Sequence, residues 1–360
     1  MSSLRRIVIG NSKGELTSLQ PAIRSSPNLK LVAVYSRSLK SAQDTVGDVP
    51  SATLYSEDAG TGKGLSDLLA REDVQAVIIA CVHFLNAILL LHCGLAMPAN
   101  THLASLPISA QPPYIKQCLA AGKHVFSEKP IAPSVKEAEE LLEWYKARDS
   151  KATWSVAENH RYLDSVLYGA KQVQKLGRIL HFRAKSSIMI KPEAKYYQTK
   201  WRQNPAHQGG FVLDGGVHYI ASLRMLLGEE NDISRVCAFS TQLQPHLPPI
   251  DTVNAVLKTK TGIIGLFASS HGTTELDNEW FVAGENGTVT ARRYPHQVVT
   301  KINDKEEKEE FPDEAMGVGQ EVRAWASGLE NGNVDERQSP KEALRDLQVV
   351  STSCFLIHSD

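Results

Sequence analysis

Five short apolar runs, the first four each followed by a stretch of helical pattern, most constrain what this chain can fold into. They are Arg6-Ile7-Val8-Ile9-Gly10, Leu29 to Tyr35, Thr53-Leu54-Tyr55, Val74 to Ala80 and Val125-Phe126. The helical stretches fall before Pro27, at Leu39 to Val46, at Leu65 to Ala70 and at Pro113 to Ala121. Strands that read apolar throughout are buried on both faces. Alternation with helices then requires βαβ units, so the first half is α/β with a doubly wound parallel sheet. The second half changes character. A helix is expected over Leu163 to Leu176 and a strand over Ile179 to Ser186, with later strands near 235–243, 252–259, 263–270, 279–283, 288–292 and 297–302. Thr261-Gly262 and Asn286-Gly287 are hairpin signals. Consecutive hairpins predict an α+β domain with an open, mostly antiparallel sheet. Asp304 to Glu310 reads as a charged, solvated tip, and helices near 318–329 and 340–350 close the chain.

A chain of 360 residues suggests two domains, here 1–150 and 151–360. Net charge is -1, which gives no electrostatic footprint for nucleic acid or an anionic membrane. Five cysteines at 81, 93, 118, 237 and 354 form no CxxC pair and are odd in number. Neither a disulfide framework nor a structural zinc site is expected. The apolar run at 7–9 is too short for a signal peptide, so a reducing, cytoplasmic setting is expected. Ala76 to Met97 lacks Asp, Glu, Lys and Arg and is long enough to span a bilayer. Its first residues already serve as a strand, however, and His83, Asn86 and His92 interrupt it. Deleting Cys81 to Ser105 would join Ala76–Ala80 to Leu106-Pro107-Ile108-Ser109-Ala110-Gln111 in an ordinary strand–loop–helix transition. The block 81–105 therefore reads as an insertion, of the kind a retained intron would encode. Sequencing the transcript decides this.

A strand, a glycine turn and a helix make a dinucleotide cradle, because glycines let the backbone approach a pyrophosphate seated on the helix N-terminus. Gly10 and Gly14 are present, but Ser12 and Glu15 replace the other two glycines of G-x-G-x-x-G. At the end of the second strand an NAD site usually carries Asp or Glu for the ribose 2′-hydroxyl. This chain has Ser36-Arg37-Ser38 with Lys40 nearby, a set suited to a 2′-phosphate. NADP(H) is expected over NAD(H). Gly60-Thr61-Gly62-Lys63-Gly64 fails the P-loop spacing and reads as a surface turn. In Gly122-Lys123-His124-Val125-Phe126-Ser127-Glu128-Lys129-Pro130 a buried strand stops at a proline. Lys129 and Glu128 then sit at the carboxyl end of a strand, where open α/β sheets bind ligands.

Asp214 and His218 are four residues apart, ahead of a helical pattern in Val217, Ile220, Ala221 and Leu223 to Leu227. Both side chains are expected on one face near a helix N-terminus, where the dipole would keep the imidazole neutral. A neutral imidazole is the base an alcohol oxidation needs. His207, Asp214 and His218 lack a matching cysteine or carboxylate cluster, so no metal is expected.

Together with Ala157-Glu158-Asn159-His160-Arg161-Tyr162 and the run Gly209-Gly210-x-x-x-Asp214-x-Gly216-x-His218, the AGKHVFSEKP stretch resembles the glucose–fructose oxidoreductase / inositol dehydrogenase / MocA (Gfo/Idh/MocA) family. The chain is most similar to its fungal NADP-dependent members, over nearly its whole length. The altered glycine loop and block 81–105 depart from the family pattern. The resemblance implies hydride transfer between a nicotinamide and the carbinol or carbonyl carbon of a small sugar, polyol, diol, ketone or aldehyde. It implies Lys129, Asp214 and His218 as the catalytic set: His218 as acid/base, Lys129 stabilising the substrate oxygen, Asp214 orienting hydroxyls and holding the histidine. Gly10, Ser12, Gly14, Ser36, Arg37, Ser38, Pro107, Glu128 and Lys129 are the candidate cofactor residues. Arg161, Tyr162, Tyr197, Trp201 and Arg202 are candidate substrate-wall residues. A homo-oligomer, dimer or tetramer, is implied through the open sheet face. Two other readings are a non-catalytic or impaired nucleotide-binding regulator of the same fold, and a membrane-anchored protein using 76–97. The regulator should have lost the catalytic set and kept a sound cofactor loop, the reverse of what is found.

Overall fold

The computed structural model describes residues 5–9, 22–23, 25–46, 52–80, 107–194, 197–312 and 316–354. The chain divides into two compact units. The first comprises 1–157, 194–201 and 318–344; the second comprises 158–193, 202–317 and 345–360. The division is thus discontinuous, and 194–201 and 318–344 group with the first unit rather than with the second half of the sequence.

In the first unit six strands form one parallel sheet: β1 (Arg5–Ile9), β2 (Lys30–Ser36), β3 (Thr53–Ser56), β4 (Ala76–Ile79), β5 (His124–Ser127) and β6 (Trp154–Val156). Their order is β3-β2-β1-β4-β5-β6, so the order reverses between β1 and β4, the doubly wound arrangement. The apolar runs explain the register. Val77, Ile78 and Ile79 pair with Val125, Phe126 and Ser127, and all six are buried. Among the described residues, the helices α1 (Leu39–Val46), α2 (Leu65–Leu69), α3 (Gln111–Ala120) and α4 (Val135–Lys146) lie between strands. Ser134 caps α4 by accepting from the Glu137 N–H at 3.2 Å. Phe126 stacks on Trp325 at 5.0 Å.

The second unit holds α5 (Asp164–Val173), α7 (Gly210–Leu227) and an eight-stranded mixed sheet; the short helix α6 (Lys200–Gln203) falls at the division between the units. Its strands are β7 (Ile179–Ser187), β8 (Ile233–Thr241), β9 (Thr252–Thr259), β10 (Ile264–Ser270), β11 (Asp277–Gly284), β12 (Gly287–Arg293), β13 (His296–Ile302) and β14 (Lys305–Glu310). The order is β14-β13-β12-β11-β7-β10-β9-β8. Only β7 and β10 pair parallel; the other pairs are antiparallel. Thr261-Gly262 and Asn286-Gly287 are hairpin turns as expected, and Gly262 has φ +90°. The helices α5 and α7 contact one face. The other face shows Phe239, Val256, Ile264 and Leu266, with Phe239 71% exposed. Two further helices, α8 (Val318–Asn331) and α9 (Pro340–Cys354), follow the sheet.

One expectation is corrected. Lys305 to Glu310 is not a solvated tip but the edge strand β14, fully exposed and paired to β13. Its sequence has no apolar alternation to announce a strand. Pairing with β13 supplies the order that local propensity does not.

Candidate active site

In the first unit β5 ends at Ser127, and a cis Lys129–Pro130 bond follows. Glu128 continues the ladder, donating its N–H to Ile79 O at 3.1 Å, and the Trp154 indole donates to Ser127 Oγ at 2.9 Å. These bonds hold the strand end, and both Glu128 and Lys129 are buried. Lys129 is therefore a buried cation at a strand carboxyl end, not a solvated turn residue. Gly10, Ser12, Gly14 and block 81–105 lie outside the described residues.

Ser36 is buried at the end of β2 and Arg37 is exposed. Ser38 Oγ accepts from the Ser41 N–H at 3.2 Å, so Ser38 caps α1 as expected. The sequence reading missed Asp58, whose Oδ1 accepts from the Leu39 N–H at 2.7 Å and from Ser56 Oγ at 2.6 Å. Those bonds lower its pKa, the Ser56 hydroxyl most. A carboxylate thus does stand at this helix start, brought there from β3. Pro107 opens a 3-10 turn over Ile108–Ala110 that leads into α3. The first residue of α3, Gln111, is fully buried, and neither amide atom has a hydrogen bond among the described residues. A buried carboxamide in that state costs about 1–3 kcal/mol until a polar group meets it. The unit is therefore built to receive a polar ligand, as a nucleotide cofactor requires.

In the second unit Gly209 and Gly210, at φ +97° and +46°, begin α7. A Cβ on Gly210 would lie 2.6 Å from Pro248 O, so only glycine fits there. The start of α7 at Gly210 corrects the dipole argument. His218 is two turns in, beyond the first turn where the dipole acts. Asp214 and His218 do share a helix, four residues apart, and both are buried. Arg202 Nε donates to Asp214 Oδ2 at 2.8 Å, so two expected site residues meet. His207 and His271 flank them. Burial lowers the His207 pKa, against the pull of Asp214. Burial likewise brings His271 down to about 4, against Asp214 and Asp251.

The partner of His218 is Glu158, where the sequence reading gave Asp214 the task of holding it. His218 Nδ1 lies 2.6 Å from Glu158 Oε1. The carboxylate accepts the Nδ1–H, which makes Nε2 the nitrogen available for proton exchange. The His160 ring stacks on that of His218 at 4.5 Å and 23°. Arg293 Nη1 lies 2.5 Å from His160 Nε2. Glu158, His160 and His218 place ligand-type atoms within 4.8 Å of one another. The Arg293 guanidinium occupies the His160 Nε2 lone pair, and Glu158, the two stacked rings and Arg293 follow one another as a chain. Neither His160 nor Arg293 carried a sequence signal for this role. Glu158 enters the sequence reading only within the family-like run 157–162, and it stands two residues after β6.

Arg161 Nη2 donates to both oxygens of Asp346, at 2.8 and 2.6 Å, in a buried ion pair. Tyr162 is buried in the same 3-10 turn, Asn159–Tyr162. Tyr197 and Trp201 are half-buried in the 194–201 segment grouped with the first unit.

Residues 4–156 match the oxidoreductase family NAD-binding Rossmann fold (GFO_IDH_MocA), and residues 170–353 match the C-terminal alpha/beta domain of the same family. The chain belongs to the Gfo/Idh/MocA oxidoreductase family. It is 36% identical to Dehydrogenase FPY6 of Fusarium mangiferae over 348 residues, 92% of this chain and 90% of that protein. The structure resembles an oxidoreductase of Thermotoga maritima, with a TM-score of 0.80, 22% identity and coverage of 98% and 96% of the two chains. It also resembles a 3-ketoreductase of Actinomadura kijaniata solved with NADP and TDP-benzene, with a TM-score of 0.70, 21% identity and coverage of 97% and 96%. As a Gfo/Idh/MocA oxidoreductase, the chain carries a Rossmann nucleotide-binding unit and a mixed-sheet partner unit. No helix among the described residues is long and apolar enough to cross a membrane.

Proposed function

We propose that this oxidoreductase uses NADP(H) to interconvert a hydroxyl and a carbonyl on a small sugar, polyol or related substrate. The carbon-4 hydride of the bound nicotinamide supplies the redox step. The single observation that carries the reading is the His218–Glu158 pair at 2.6 Å. In the oxidative direction His218 Nε2 takes the hydroxyl proton as the hydride leaves the carbinol carbon; reduction reverses both transfers. Glu158 holds the tautomer and stabilises the imidazolium that forms, as an orienting carboxylate does in other general-base pairs. Lys129, a buried ammonium, is assigned the stabilisation of negative charge on the substrate oxygen. Asp214, braced by Arg202, is assigned the orientation of substrate hydroxyls. The guanidinium of Arg161 is committed to Asp346, so its part is to hold the turn that carries Glu158.

Arg37 and Lys40 support NADP(H), while Asp58 stands against a second phosphate at the same helix start. The exposed Phe239, Val256, Ile264 and Leu266 support assembly with a second copy through the open sheet face. Size measurement of wild type and Phe239→Lys tests that; a monomeric wild type rejects it.

Titration with NADPH and NADH tests the cofactor reading. Tighter binding of NADPH, weakened in Arg37→Ser, is expected; preference for NADH rejects it. His218→Asn and Lys129→Met should each lower turnover by about 10²-fold or more. Wild-type turnover in either removes the role assigned to that residue.

A further inference from the structure

Arg293 is an unusual buried residue. Its described hydrogen bonds run to His160 Nε2 at 2.5 Å, to Met316 Sδ at 2.8 Å and to the neutral Tyr219 phenol, and it lies 5.9 Å from the Tyr294 ring. Among the described residues it has no ion pair with a carboxylate. Burying a cation without an anion is costly, so a chain that keeps one there gains something by it.

The proton positions follow from the geometry. A guanidinium only donates, so His160 Nε2 accepts from Arg293 and the ring proton of neutral His160 is on Nδ1. That Nδ1 faces Ser222 Oγ at 3.4 Å, and the Ser222 hydroxyl donates to His218 O at 3.0 Å. Every group has one consistent role. His160 is thereby fixed as a neutral ring under His218, with no lone pair left to take a proton.

The charges balance in the same way. Glu158 stands at one end of the stacked imidazole pair and Arg293 at the other. With both rings neutral the cluster has no net charge; each added proton leaves it positive. The remaining groups facing His160 are Arg161 on its own turn, already paired to Asp346, the Tyr219 phenol on α7 and the Trp280 indole on β11. Burial raises the Tyr219 pKa, so that phenol stays neutral.

The geometry points to Arg293 as a positioning residue that acts through His160 to keep His218 neutral and ready to accept a proton. This rests on the acid/base role proposed for His218. Glu158 alone would favour the imidazolium; Arg293 opposes it and also denies the proton to His160.

The test combines histidine-detected NMR with pH profiles, on the full chain with its cofactor. In wild type His160 should remain the neutral Nδ1–H tautomer from pH 5.5 to 8.5 while His218 titrates. In Arg293→Met, His160 should titrate, and the acidic limb of kcat/KM for oxidation should move up by about one pH unit. Arg293→Lys, which restores a cationic donor, should bring the limb back. A merely structural role would lower activity at every pH without moving the limb. If Arg293→Met does not fold, Arg293→Gln keeps an N–H on His160 without the charge, and the same upward movement is expected. An unmoved limb, with His160 neutral in the variant, overturns the inference. If His218→Asn keeps its turnover, the acid/base reading fails instead. The NMR titrations of His160 and His218 then still decide whether Arg293 sets their protonation.

Discussion

Two buried charge clusters of the second unit grow from one 3-10 turn and follow opposite rules. Arg161 of that turn pairs with Asp346, which also accepts from Arg224 Nη1 at 2.6 Å, while Arg224 Nε donates to Asp232 at 2.8 Å. Each guanidinium meets a carboxylate. Glu158 and His160 of the same turn instead enter a chain whose two formal charges are separated by two imidazoles. The first cluster is built from ion pairs and holds the turn, while burial pushes the Asp346 pKa up to about 6 against the pull of Arg161 and Arg224. The second places two imidazoles, a side-chain type that can hold or release a proton in ordinary working conditions, between its formal charges.

The comparison can be broken most forcefully at Asp346. Asp346→Ala should cost about 3–5 kcal/mol, because it leaves Arg161 buried without its anion and Arg224 with Asp232 alone. Denaturant unfolding measures this, and a loss under ~1 kcal/mol would show that the ion network does not carry the turn. Next comes His271, whose burial brings it to about 4. Between pH 6.5 and 4 the unfolded chain binds a proton at this position that the native one does not. Stability is complete above pH 6.5 and should fall by ~3 kcal/mol toward pH 4. His271→Gln should flatten that slope; an equally steep slope assigns it to other groups. The smallest effect sharpens the contrast within the active cluster. Glu158→Gln should lower kcat about tenfold with little change in KM. Its acidic limb should move down in pH, opposite to the movement expected for Arg293→Met, because the anion that favours the imidazolium is gone. Movement in the same direction for both would show that the two residues do not act as opposed charges.

Much of the first unit could be read directly. Strands buried on both faces announce themselves, and the expected Val74–Ala80 run became β4 at Ala76–Ile79. The antiparallel strands were legible because their turns carry Gly262 and Gly287. The start of α7 was not. Glycine disfavours helix by about 1 kcal/mol, so the glycines at 209, 210, 215 and 216 drew the expected helix N-terminus close to Asp214 and His218. Close packing of Gly210 on Pro248 is a tertiary reason invisible locally. That error placed His218 at a helix terminus and invoked a dipole where Glu158 acts. The His160–Arg293 contact joins positions 133 apart in sequence, with no periodicity to link them. Asp58 was hidden in the same way, since only the β2–β3 pairing brings it to the start of α1.

The edge strand β14 has one more consequence. Its sequence, Lys305-Glu306-Glu307-Lys308-Glu309-Glu310, is wholly exposed and charged. A copy of itself laid alongside in parallel, residue for residue, would set like charges opposite one another at every position, which opposes strand pairing. This border therefore disfavours parallel edge-to-edge growth of the sheet, and the proposed assembly would use the broad face instead.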